Sequence, residues 1–120
     1  MLRDAAGFKK IYIAAGRTDL RKGIEGLAAV IKLQFHLEPR DRNTLFLFCG
    51  TRTDRIKGLL WEGDGWLLLY KRIESGGFSW PRTAKEAVEI TEDQFRRLMQ
   101  GFEIIPRRPI KDSDDKPLIM

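Results

Sequence analysis

In RIKGLLWEGDGWLLLYKR, residues 55–72, basic residues stand at both ends of an apolar middle, with Trp61, Trp66 and Tyr70 among them. Cations beside flat aromatic rings suit one class of partner. A guanidinium or ammonium group neutralises a phosphate and releases its counterions, and a ring offers a base something to stack on. A second basic group, Arg17, Arg21 and Lys22, precedes an apolar periodic stretch, and Arg52 comes just before the quoted run. The residues expected to contact nucleic acid are therefore Arg17, Arg21, Lys22, Arg52, Arg55, Lys57, Tyr70, Lys71 and Arg72. Trp61 and Trp66 are the residues expected to contact a protein partner.

Other chemistry finds little to work with. His36 is the single histidine and Cys49 the single cysteine, so no Cys/His pair has metal-ligand spacing and no intrachain disulfide can form. Cys49 ends an apolar run and reads as a small core residue. GIEGLA has no Gly-Lys-Ser/Thr and is not a phosphate loop. Asp19, Asp54 and Asp64 all fall in turn-like contexts, where aspartate serves the backbone. The expectation is a non-enzyme with no catalytic residue, cofactor or metal.

These side chains need elements to hold them. KIYIAA, residues 10–15, reads as a strand. Asp19, or failing it Thr18, is a candidate N-cap for a helix over 20–34, whose apolar residues at 20, 24, 27, 28 and 31 follow a 3.6-residue period. Gly23 and Gly26 weaken that helix by about 1 kcal/mol each and suggest close packing on a sheet. Cations at such a helix start oppose its dipole unless an anion docks there. TLFLFC, 44–49, reads as a strand covered on both faces. The quoted run folds as a hairpin across EGDG. FSW, 78–80, reads as a short strand and VEI, 88–90, as one more. Thr91 and Gln94 form a capping box for a helix over 92–100 that stops at Gly101.

The hairpin's parity matters most. With an even loop, residue i faces residue 127 − i, so Trp61–Trp66, Leu59–Leu68, Lys57–Tyr70 and Arg55–Arg72 share one side. Ile56, Leu60, Leu67, Leu69 and Lys71 take the other. Directly opposed like charges cost a few tenths to about 1 kcal/mol per pair, and a polyphosphate would reverse that term. Three accounts stay open: a nucleic-acid face, a protein-binding face, or aromatics packed beneath the first helix with cations reaching out at its rim.

Composition sets the frame. The chain's 120 residues suffice for one modest core, and a net charge of +5 leans toward polyanions without specifying one. The start lacks a signal-peptide pattern, and WLLLY is far too short to cross a bilayer. A cytoplasmic protein is expected. The expected fold is α+β: an antiparallel β-meander sheet of four or five strands, one helix packed on a face, and a short C-terminal helix. Residues 1–9 are a lead-in, 10–102 a single domain, and 103–120 a proline-containing flexible arm.

Read in order, GRTDLRKGIEGLA, LFLF, DRIKGLLWEGDGWLLLYKRIESGGFSWP and ITEDQFRRLMQG resemble the second reading frame, TnpB, of the insertion-sequence sixty-six class of bacterial mobile elements. The resemblance spans residues 10–102. It departs where Leu20 stands for methionine, Glu62 for aspartate, Gly58 and Leu60 for larger residues, and Cys49-Gly50 for positions often basic or polar. It implies an accessory protein of transposition, working beside a separate, larger transposase that holds the catalytic carboxylates. Thr18, Asp19, Arg21, Lys22, Arg55, Lys57, Trp61, Asp64, Tyr70, Lys71 and Arg72 fall at matching motif positions. DNA at the element's ends and the transposase are the expected partners, and a homo-oligomer stays open. The alternative is an adaptor that binds the transposase without touching DNA; a nuclease is the third reading.

Overall fold

The computed structural model describes residues 7–82 and 85–104. Five strands form one sheet: β1 (Lys10–Ala14), β2 (Thr44–Cys49), β3 (Arg55–Trp61), β4 (Trp66–Arg72) and β5 (Ala87–Ile90), in the order β4-β3-β2-β1-β5. β2, β3 and β4 are an antiparallel meander, and β5 lies antiparallel on β1. β1 and β2 run parallel, so the sheet is mixed, where the sequence reading has it antiparallel throughout. The physical reason is the connection. A helix between two neighbouring strands supplies the crossover that a parallel pair requires.

That helix, α1 (Ile24–Ala29), continues as a π-helical segment, Val30–Gln34, and ends at His36, which has φ +58°. It starts four residues later than the apolar period predicts. Gly23 occupies the N-cap without a side-chain cap, and Asp19 instead folds back to accept from the Arg21 backbone N–H at 3.0 Å. Aspartate competes with the helix by bonding two residues on, and here that local turn wins. Gly23 and Gly26 do not serve sheet packing: a Cβ at Gly23 would meet nothing, and one at Gly26 would meet only Lys22.

Both faces of the sheet are covered. Leu27 and Ile31 of α1 pack on Phe46, Phe48 and Leu59, joined by the partly buried Trp66 and Leu68. The opposite face joins Ile13, Leu45, Leu47, Ile56 and Leu60 to Phe95 and Leu98 of a second helix, α2 (Glu92–Met99). All six residues of β2 are buried, which is why TLFLFC shows little alternation. The FSW segment is not a strand. It packs on this second face without ladder pairing, burying Phe78 and Trp80, and the Trp80 indole N–H donates to the Ala14 carbonyl at 2.9 Å. α2 carries the predicted capping box from Thr91 and Gln94. It closes through Gly101 (φ +90°), with Gly101 N–H on the Leu98 carbonyl and Phe102 N–H on the Arg97 carbonyl, a paired arrangement that satisfies the last-turn acceptors. Of the predicted C-terminal arm, Ile104 is buried in the core. Residues 105–120 and 1–6 lie outside the described residues, and the expectations for them with it. No helix among the described residues is long and apolar enough to cross a membrane.

Candidate nucleic-acid interface

The hairpin register is the one parity predicts, with Arg55 opposite Arg72, Lys57 opposite Tyr70 and Trp61 opposite Trp66. The four-residue loop closes with the Glu62 N–H on the Gly65 carbonyl at 2.9 Å. The face shared by these pairs is the α1 face. Leu59 and Leu68 therefore sit under or beside the helix, while Lys57, Tyr70 and Arg55 emerge beyond its N-terminal end.

At that end a hollow of about 890 Å³ opens among three segments. One is the loop from β1 toward α1, bringing Arg17 and Arg21. The second is the β2–β3 connection, bringing Arg52. The third is the hairpin itself, bringing Arg55, Lys57 and Tyr70. Leu20, Leu68 and the Tyr70 ring give it an apolar floor, and Asp19 is the only carboxylate among its lining residues. The topology puts these together: β1 and β2 are parallel, so both their carboxyl ends point here, and β3 begins and β4 ends at the same edge.

Short bonds hold the loops in place. The Thr18 N–H donates to the Cys49 carbonyl at 2.9 Å, and the Lys57 ammonium donates to the Lys22 carbonyl at 3.0 Å. A Cβ on Gly50 would lie 3.2 Å from Leu20 Cγ. A glycine there lets the 18–20 segment rest directly on the end of β2. Arg82 was missed by the sequence reading. Its guanidinium donates to the Gly16 carbonyl at 2.9 Å and the Gly50 carbonyl at 2.6 Å, tying both loops from behind. It also donates to Cys49 Sγ at 3.8 Å, and burial, the dominant influence, pushes that thiol's pKa up. The only sequence signal for Arg82 is its place after Trp80-Pro81, next to the backbone that must cross the β1 end.

The charges are less crowded than the sequence suggests. Arg55 turns away from Arg72 to a bidentate pair with Asp54, Nε–Oδ1 2.9 Å and Nη2–Oδ2 3.2 Å. Asp54 also lies 3.6 Å from Arg52. The Arg55 hydrogen bond holds the Asp54 carboxyl below its usual range. Arg21 pairs likewise with Asp19, whose carboxyl is held far below the usual range chiefly by that side-chain bond. The repulsion between opposed arginines is thus relieved within the protein, and needs no partner to explain it. What remains is an excess: Arg17, Arg52, Lys57, Arg21 and Arg55 around a hollow whose two nearby acids are both engaged.

Not every predicted residue gathers there. Lys22 contributes its carbonyl, while its side chain borders neighbouring depressions beside α1. Lys71 pairs with Ile56, whose side chain lies in the α2-side core, so it belongs to the opposite face. Arg72 is exposed on the edge strand and does not line the hollow. Trp61 and Trp66 meet edge to face at 5.0 Å, and the Arg40 guanidinium covers both rings at 5.2 and 5.4 Å. A cation from within the chain lies over each ring. Among the described residues no three His, Cys, Asp or Glu side chains come together as a metal cluster.

Comparison with known proteins agrees with the motif order. A family model described as "IS66 Orf2 like protein" matches residues 9–109. Two proteins of Sinorhizobium fredii are similar along most of their length. Uncharacterized protein y4jC is 30% identical over 104 residues, covering 85% of this chain and 88% of its own. Uncharacterized protein y4hO is 34% identical over 94 residues, covering 78% and 81%. No solved structure matches the chain significantly.

Proposed function

The chain belongs to the IS66 Orf2-like family, and on that premise we propose that it is a non-catalytic accessory protein of transposition that contacts DNA through the basic hollow, alongside a separate transposase. One observation carries the DNA contact. Two cationic groups far apart in sequence, 17–21 and 52–57, converge on one concave surface floored by Tyr70 and Leu68. Arginine forks match phosphate geometry, and cations lining a cleft focus the field on an approaching polyanion.

The test is a titration of labelled duplex from an element's end, by fluorescence anisotropy, between about 50 and 200 mM salt. Log affinity is expected to fall linearly with log salt. Arg17→Ala with Arg52→Ala should reduce the slope by about 2, one for each phosphate contact removed. Arg40→Ala, which removes one charge at the far end of the hairpin, should leave it unchanged. A flat salt response ends the DNA reading and favours the adaptor that meets the transposase alone. An Arg40 variant as impaired as the double variant would remove the hollow as the site.

A further inference from the structure

Resting on the DNA-contact reading, we infer that the hollow receives an unpaired nucleotide of single-stranded DNA rather than the flank of a duplex. The shape argues first. At about 890 Å³ it falls in the size range of small-ligand clefts, about 300–1,000 Å³. A duplex presents phosphates on a convex cylinder with its bases hidden in the stack. Such a surface could use the arginines at the rim but not the floor, because a base must leave the stack to reach it.

The floor is built for a flat apolar group. Leu20 and Leu68 flank Tyr70, and the Tyr70 side chain is 54% exposed although it stands next to a packed core. The molecule's other aromatics near cations differ. Arg40 covers Trp61 and Trp66, and Arg97 lies 5.4 Å from the Phe102 ring centre. Among the described residues no cation covers Tyr70 in this way. It lines the hollow beside Arg55, itself fixed by Asp54, and is exposed enough to offer a ring face there. A base stacked on that face, with its flanking phosphates on Arg17 and Arg52, would use floor and rim together. Stacking of this kind tolerates any base, so sequence preference is expected to be weak.

The experiment compares the full chain's affinity for an oligothymidylate of about ten nucleotides with that for a hairpin duplex of equal charge, at one salt concentration. The single strand should bind about tenfold tighter, and Tyr70→Ala should remove that advantage while changing duplex binding less than about twofold. Tyr70→Phe, which keeps the ring, should retain it. Unchanged thermal melting of both variants separates loss of the stack from loss of the fold. Salt-dependent binding of the duplex as tight as that of the single strand overturns this inference and leaves the DNA contact standing. Absence of binding to either removes both. Tighter binding of the matching oligouridylate overturns the assignment to DNA.

Discussion

The two ends of the β3–β4 hairpin carry the same residue types and do opposite things with them. At the turn end, Trp61 and Trp66 stack edge to face under Arg40, and the Arg42 guanidinium presses on Gly63 so closely that a Cβ there would lie 2.8 Å away. Each ring has a cation from another segment over it. At the open end, Lys57, Arg55 and Tyr70 border a hollow that the cations of the 17–21 loop also line. Aromatic–cation chemistry at the turn end is spent on holding the hairpin to the 38–43 loop. At the open end it is left available. Composition does not separate these cases; the supply of a covering side chain from another segment does.

The largest effect is expected from Trp61→Ala. It removes the aromatic pair, about 0.5–1.5 kcal/mol, its cation–π contact and its partly buried area. A loss of about 2 kcal/mol in denaturant unfolding is expected, with DNA affinity unchanged. A variant that keeps its stability but loses affinity would reverse the roles assigned to the two ends.

Arg82→Ala comes next. Its two charged hydrogen bonds tie the ends of β1 and β2, so the variant should lose about 1–2 kcal/mol of stability. It should also bind DNA several-fold more weakly, though Arg82 does not line the hollow. Arg82→Lys should recover part of the stability and little of the binding, since one ammonium cannot span both carbonyls as the fork does. Full recovery by lysine would show that charge alone, not loop positioning, is at work.

The smallest effect is a null one. Asp19 and Asp54 have carboxyl pKa values held below the ordinary range by Arg21 and Arg55. A group depressed in the folded state contributes stability that is present above its unfolded value, near 3.9, and lost only as pH falls through the folded one. The arginines stay charged throughout. DNA affinity at fixed ionic strength should therefore be level from about pH 8 to pH 5.5. A step within that window, read by the same anisotropy titration, would mean that a titrating group sits in the hollow and that the charge inventory is incomplete.

Much of the fold was legible from local rules. The hairpin register followed from an even loop and two alternating strands, the capping box of α2 from Thr91 and Gln94, and the burial of β2 from six residues without a polar face. The parallel pairing of β1 and β2 was not read, although a long helical connection between adjacent strands favours such a crossover. The FSW strand failed for a different reason. Phe78 and Trp80 are β-prone residues, but Phe78 bonds to the Thr53 carbonyl and Trp80 to the Ala14 carbonyl through its ring, so tertiary packing rather than ladder pairing fixes them. The start of α1 failed because Asp19 had two local options, a cap or a turn, and Arg21 made the turn better.

By itself the sequence determined which residues alternate, where the chain turns, and which family this chain joins, because those depend on neighbours a few positions apart. Only the tertiary structure decided that Arg17 and Arg52 face one hollow, that Arg55 leans on Asp54 instead of opposing Arg72, and that Arg40 covers the tryptophans while Tyr70 stays open. Charges and rings act through space, rings over a few ångströms and screened charges over about 10 Å. Contacts such as that of Arg82 with Gly16 and Gly50 join segments with no fixed spacing, so no pattern along the chain encodes them.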